Sequence, residues 1–169
     1  ASAQNWALLN PAYKYNFSND GSDTISNQII VTDIDTLGVD SFRYELNKIG
    51  VWCDGCPCPP QGGGWLIDQP QFMGLRATVT STSWVLEWPD QEVTVEPQAG
   101  AGESWTYHQG QSITATVTNI SEEQVYGMLD SVKVISLSNG GTIRIAKAHG
   151  LMEFPGSDGG SFQALGIQE

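Results

Sequence analysis

The sequence predicts an all-β domain, and three observations carry that expectation. Apolar and polar residues alternate in short runs rich in Val, Ile, Thr and aromatics. Turn signals separate the runs, and no stretch of ten or more residues reads as a capped helix. The expected architecture is a mainly antiparallel curved sheet, a sandwich or a half-barrel, with two equivalent hairpin units.

Seven segments read as strands: "NQIIVTDID" (27–35), "DSFRYELNKI" (40–49), "LRATVTSTSWVLEW" (75–88), "EVTVEP" (92–97), "SITATVTNI" (112–120), "DSVKVISLS" (130–138) and "TIRIAKA" (142–148). Asp20-Gly21, Leu37-Gly38, Pro89-Asp90, Asn139-Gly140-Gly141 and Pro155-Gly156 punctuate them. "LSNGGTIRI" is the clearest hairpin, two β runs joined by Asn-Gly-Gly. "SEEQVYGML" (121–129) opens like a helix, with Ser-x-x-Gln and two acids, but Gly127 interrupts it. It is expected to be a short helical turn or a strand-to-strand loop.

The chain also repeats itself. Val31-Thr32-Asp33-Ile34, Gly38 and Asp40-Ser41-Phe42-Arg43 match Val117-Thr118-Asn119-Ile120, Gly127 and Asp130-Ser131-Val132-Lys133. Aromatic segments, "YKYNF" (13–17) and "SWTYH" (104–108), precede the two copies. Two such units can bury together an apolar face that neither buries alone. Both V-T-x-I segments are expected in equivalent strands, with Ile34 and Ile120 in the core.

The 169 residues suit one domain: 1–3 as a signal-cleavage remnant or cloning scar, and 4–169 as a single β-rich domain with a Cys/Pro/Gly loop at 51–65. The chain is expected to be a segment of something longer. Charged residues are only 15% and the net charge is −12, with seven scattered Lys and Arg. That distribution offers no basic stripe for nucleic acid, and anionic membrane surfaces repel it. No run reaches the ~20 apolar residues of a membrane-spanning helix, so membrane insertion is not expected. Calcium or a cationic partner is better tolerated.

"VWCDGCPCPPQGGGW" (51–65) holds all three cysteines. Cys53, Cys56 and Cys58 supply three sulfur ligands, whereas a structural zinc site needs four. His108, His149, Asp54 or water would have to complete it. Pro57, Pro59, Pro60 and Gly62-Gly63-Gly64 forbid the helix of a redox CxxC motif. One disulfide, Cys53–Cys56 or Cys53–Cys58, is expected in an oxidising compartment.

Six tryptophans are many for this length. Trp84 and Trp88 share a strand face with Leu86. Together with Trp105 they are either core or a platform for stacking sugars. Asp20, Asp23, Asp33 and Asp35, with Asp40, are candidate calcium ligands, but their spacing does not match an EF-hand loop, and turn polarity also explains them. For chemistry there are two histidines, His108 and His149, and acids such as Glu87 with Asp90 or Glu92. No Gly-x-Ser-x-Gly, HExxH or P-loop is present, so no catalytic residues, no enzyme activity and no cofactor are expected.

"NWALLNPAYKYNFS", "DTISNQIIVTDIDTLGVDSFRYELNKI", the Cys-Asp-x-Cys loop, "QPQFMG", "GESWTY" and "DSVKVISLSNGGTIRIAKAHGLMEF" together resemble an uncharacterised β-domain. That domain lies at the N-terminus of large secreted Bacteroidota proteins associated with type IX secretion. A weaker similarity is to curved sheets of lipoprotein-carrier type. The first resemblance implies a secreted or cell-surface protein. It also implies O-glycans at Asp-[Ser/Thr]-apolar triplets, hence at Thr36, Thr24 and Ser131. The function expected is a non-enzymatic structural or adhesion module that contacts other subunits or domains of a surface assembly. The alternative is a ligand-binding domain for a hydrophobic molecule or a glycan.

Overall fold

The protein is described by a computed structural model, which covers residues 6–53 and 65–169, with the side chains of 51–53 and 65–67 left aside. Among the described residues there are fourteen strands and no helix. They are β1 (Lys14–Ser18), β2 (Asn27–Gly38), β3 (Ser41–Leu46), β4 (Ile49–Cys53), β5 (Trp65–Gln69), β6 (Arg76–Val79), β7 (Trp84–Glu87), β8 (Glu92–Val95), β9 (Ser104–His108), β10 (Ile113–Val125), β11 (Met128–Leu137), β12 (Thr142–Ala146), β13 (Gly150–Pro155) and β14 (Ser161–Gln168). Twelve form one antiparallel sheet in the order β8-β7-β6-β3-β2-β1-β14-β13-β12-β11-β10-β9, while β4 and β5 pair as a separate hairpin.

That order divides into two six-stranded meanders. β1, β2, β3, β6, β7 and β8 form the first, and β9 to β14 form the second in the same sense. The β1–β14 ladder joins them on one side. On the other side β8 and β9 share no ladder. Side chains bridge this seam: Trp105 Nε1 donates to the Thr94 carbonyl at 2.8 Å, and His108 Nε2 lies 3.0 Å from Gln91 Oε1. The sheet is therefore a nearly closed barrel rather than a sandwich.

The two V-T-x-I segments occupy equivalent strands, β2 and β10. Val31 pairs with Leu46 and Asp33 with Glu45, so Thr32 is bulged out of the ladder. Val117 pairs with Ile135 and Asn119 with Val134, so Thr118 is bulged in the same way. Each bulged threonine bonds across to its partner strand: Thr32 Oγ1 to the Glu45 carbonyl at 3.2 Å, Thr118 Oγ1 to the Val134 carbonyl at 3.4 Å. A bulge sharpens local twist, and each hairpin runs past its bulge out of the barrel. Hence Ile34 and Ile120 are 47% and 41% exposed, which corrects the expectation that they are core.

The second part of the repeat does not superpose. Ile34 faces Tyr44, whereas Ile120 faces Lys133. Tyr44 is thus the counterpart of Lys133, and Arg43 that of Val132. The matching "Asp-Ser-apolar-basic" letters are slipped by one residue, and a one-residue slip exchanges faces. Residues 121–129 form no helical turn either. β10 and β11 meet at Tyr126-Gly127, whose φ values of 49° and 80° are those of a tight I′ hairpin turn.

Twelve strands enclose more room than the eight whose interior side chains just fill. Inward residues such as Ile29, Leu86, Val117, Ile135, Ile143 and Leu151 fill much of it. Two inserted segments fill more of it, one at each end. Trp6 to Leu9 close one end: Leu8 and Leu9 are buried, Leu151 N–H donates to the Leu8 carbonyl at 2.8 Å, and Gln98 clasps the Trp6 backbone. At the other end Gln71, Phe72 and Met73, on the return from the β4–β5 excursion, enter the barrel. Phe72 stacks on Phe162 at 4.0 Å and meets Phe17 edge-on at 5.0 Å. Gln71 Nε2 donates to the Gln28 carbonyl at 3.0 Å.

Candidate functional site

In a meander alternate turns fall at the same end. The turns after β7, β9, β11 and β13 therefore converge with the Gln71–Met73 segment around one mouth of the barrel. They surround a cavity of about 410 Å³. Its apolar wall includes Phe72, Phe162, Trp88 and Tyr107, and its polar groups include Gln91, His108, Gln111 and Asn139. None of the described lining residues is Asp, Glu, Lys or Arg. In a chain of net charge −12 that neutrality is distinctive.

Local geometry orients the polar groups. The Gln111 backbone N–H donates to His108 Nδ1 at 3.2 Å. Nδ1 is then the acceptor, which leaves Nε2 to donate to Gln91 Oε1. Among the described residues the Gln91 amide nitrogen makes no hydrogen bond. Burial pushes the Tyr107 phenol well above its usual range, so it stays an uncharged hydroxyl. Asn139 and Gln111 sit exposed on their turns.

Of the three stacking candidates, the structure brings only Trp88 to the mouth, where it is half-buried. Trp84 and Trp105 are 4% and 8% exposed, and Trp105 closes the seam, so neither belongs to an open platform at this mouth. Cys56 and Cys58 lie outside the described residues; Cys53 ends β4, and its pairing lies outside them too. Thr24 and Thr36 are exposed and Ser131 is half-buried.

The aspartates do not converge. Asp20 accepts from Ser18 Oγ at 2.8 Å and from the Ser22 N–H at 2.9 Å; the Ser22 hydroxyl, then its N–H and the Ser18 hydroxyl, hold the Asp20 carboxyl down to about 2. Its oxygens thus serve the turn after β1. Asp33 and Asp35 are exposed on β2 opposite Glu45 and Arg43, Asp23 lies exposed in the turn, and Asp40 lies between β2 and β3. Among the described residues no three His, Cys, Asp or Glu gather as a metal-binding group. His149 does find a partner: its Nδ1 lies 2.8 Å from Asp130 Oδ2, and Asp130 also accepts from the Ser131 and Ala148 N–H groups. This pair pins the turn after β12 to the base of the β10–β11 hairpin.

No family model, no curated protein and no solved structure matches this chain.

Proposed function

We propose that this is an extracellular, non-enzymatic binding module that takes a neutral, amphipathic ligand at the barrel mouth. A glycan end is the class that fits best. The single observation behind this reading is the aromatic cavity whose described lining includes amides and an imidazole but no Asp, Glu, Lys or Arg. A sugar presents an apolar ring face, which suits an aromatic wall, and hydroxyls, which suit amides and an imidazole. An acidic sugar would enter a strongly acidic protein with no Lys or Arg among the described lining residues to receive it. A carbohydrate array probed with the native protein and with Trp88→Ala tests this. Neutral glycans should be retained, with affinity lowered about tenfold in the variant through loss of stacking. Retention of acidic glycans alone, or of none, would discard the reading.

The structural role has its own support in the two protruding hairpin tips. Val39 is 95% exposed, Leu37 48%, and Met128 and Leu129 62% each. Apolar tips suit contacts within a surface assembly. If they drive self-association, Val39→Ser with Leu129→Ser will shift sedimentation toward monomer; unchanged sedimentation of an associated protein would exclude them. Secretion would also expose Thr36 and Thr24 to O-glycosylation, read as discrete sugar increments in the intact mass of native protein; a bare polypeptide mass would end that part.

A further inference from the structure

The end of the barrel opposite the mouth carries a second cavity of different chemistry. It measures about 260 Å³, and four aromatic side chains line it: Trp6, Phe42, Tyr44 and Trp84. The exposed carboxylate of Asp40 is the one charged group among its described lining residues. Tyr44 and Trp84 meet at 5.6 Å with their rings inclined by 69°, so two walls stand nearly perpendicular. Phe42 and Tyr44 come from β3, Trp84 from β7, and Trp6 from the segment that closes this end.

Aromatic faces carry negative potential, and a nearby carboxylate adds a full charge. Trp6 alone of these aromatics already receives a cation from the protein, a lysine outside the cavity's described lining. Lys133 Nζ lies 4.4 Å from the Trp6 ring centroid and donates to the Pro97 and Ala99 carbonyls at 2.5 and 2.6 Å. Apart from the exposed Asp40 carboxylate, the amide and threonine acceptors of the described lining are already engaged. Gln98 is committed to both backbone groups of Trp6, and Thr80 Oγ1 to Ser83. A cation that needs no hydrogen-bond acceptor loses nothing there. We propose that this cavity binds a quaternary ammonium group, of the kind carried by choline.

The proposal is independent of the mouth, which lies at the other end. Its test is a titration of the full chain with choline and with 3,3-dimethylbutan-1-ol, the uncharged isostere, followed through the indole N–H resonances of Trp6 and Trp84. Choline should shift both saturably in the millimolar range, and the alcohol should bind about tenfold more weakly. Asp40→Asn, an exposed turn change that leaves the melting temperature unaltered, should weaken choline about two- to fivefold. Trp88→Ala should leave choline binding intact, which separates this site from the mouth. Equal affinity for choline and the alcohol, or no saturable shift of either indole, would overturn the proposal. Flotation with phosphatidylcholine vesicles, competed by choline, would place the ammonium on a lipid headgroup. Choline binding without flotation would place it on a free solute. Either result keeps the quaternary ammonium as the ligand.

Discussion

The two six-stranded halves differ most where their third and fourth strands connect. In the second half β11 turns into β12 through the tight Asn139-Gly140-Gly141 connection. In the first half residues 47–75 intervene between β3 and β6, although the strands meet again at once: Leu46 N–H donates to the Leu75 carbonyl at 2.9 Å. The same meander thus tolerates a bare turn or a long excursion, because the excursion begins and ends at one point. Asn47 and Gln71 tie it to β2, and Gly74 lets it pass close to β7, where a Cβ would lie 2.5 Å from the Glu87 carbonyl. Strands shared by both halves make the barrel, and the segment unique to one half shapes the mouth.

The largest expected effect tests which side of the bulge lies inside. Val117 is 1% exposed and Ile120, three residues on, is 41% exposed. Val117→Asp should unfold the domain, since a buried unpaired carboxylate is prohibitive. Ile120→Asp should stay within about 0.5 kcal/mol of native stability. Thermal melts by circular dichroism distinguish them, and similar losses for both would break the assigned register.

Next in size is the inserted aromatic. Phe72→Ala empties the space against Phe17, Phe154 and Phe162; because Phe72 is only half-buried, it should cost about 1.5–3 kcal/mol in denaturant unfolding. A loss below about 1 kcal/mol would mean that the excursion merely rests on the barrel.

A third contrast is the slipped pair Tyr44 and Lys133. Burial pushes the Lys133 ammonium down from 10.5 to about 8, against the pull of Glu103 and helped by Lys147. Between those values the unfolded chain binds more protons than the folded one, so stability rises with pH. Burial also holds the Tyr15 phenol at about 12, above its ordinary 10.0, which opposes the rise above pH 10. The clean window therefore runs from pH 8 to 10. Lys133→Met should flatten the slope there, and Tyr44→Phe should not. An unchanged slope in Lys133→Met would remove Lys133 as its source.

The smallest effects concern the bulges. Thr32→Val deletes one hydroxyl bond to a carbonyl and should cost about 0.5–1 kcal/mol; Thr118→Val deletes the matching bond and also the 3.0 Å bond to Ser136 Oγ, and should cost slightly more. A large difference would break the equivalence of the two hairpins.

How much was legible follows the same contrast. β2, β3, β6, β7, β8, β10, β11 and β12 and the V-T-x-I equivalence were readable because period-two alternation and turn residues are local; β4, β5, β13 and β14, with glycines, prolines or weak alternation, were not. The bulges were not, since one extra residue leaves no mark in composition. That is why Ile34 and Ile120 looked buried, and why Arg43 and Lys133 looked alike while facing opposite sides. Trp88 could be named but not separated from Trp84 and Trp105, because strand parity gives a face and not an end of the barrel. Gln91, His108, Gln111 and Asn139 were missed as a group. They converge only when alternate turns are placed at one mouth, which requires the strand order.

The most direct test of the mouth is nuclear magnetic resonance of labelled protein titrated with neutral cello-, xylo-, malto- and chito-oligosaccharides and with a uronic-acid oligosaccharide. At least one neutral series should move the Trp88 indole resonance saturably, leave Trp84 and Trp105 in place, and outcompete the uronic-acid series. No movement of Trp88 with any neutral sugar, or tighter binding of the charged one, would contradict the assignment of this mouth as a site for neutral glycans.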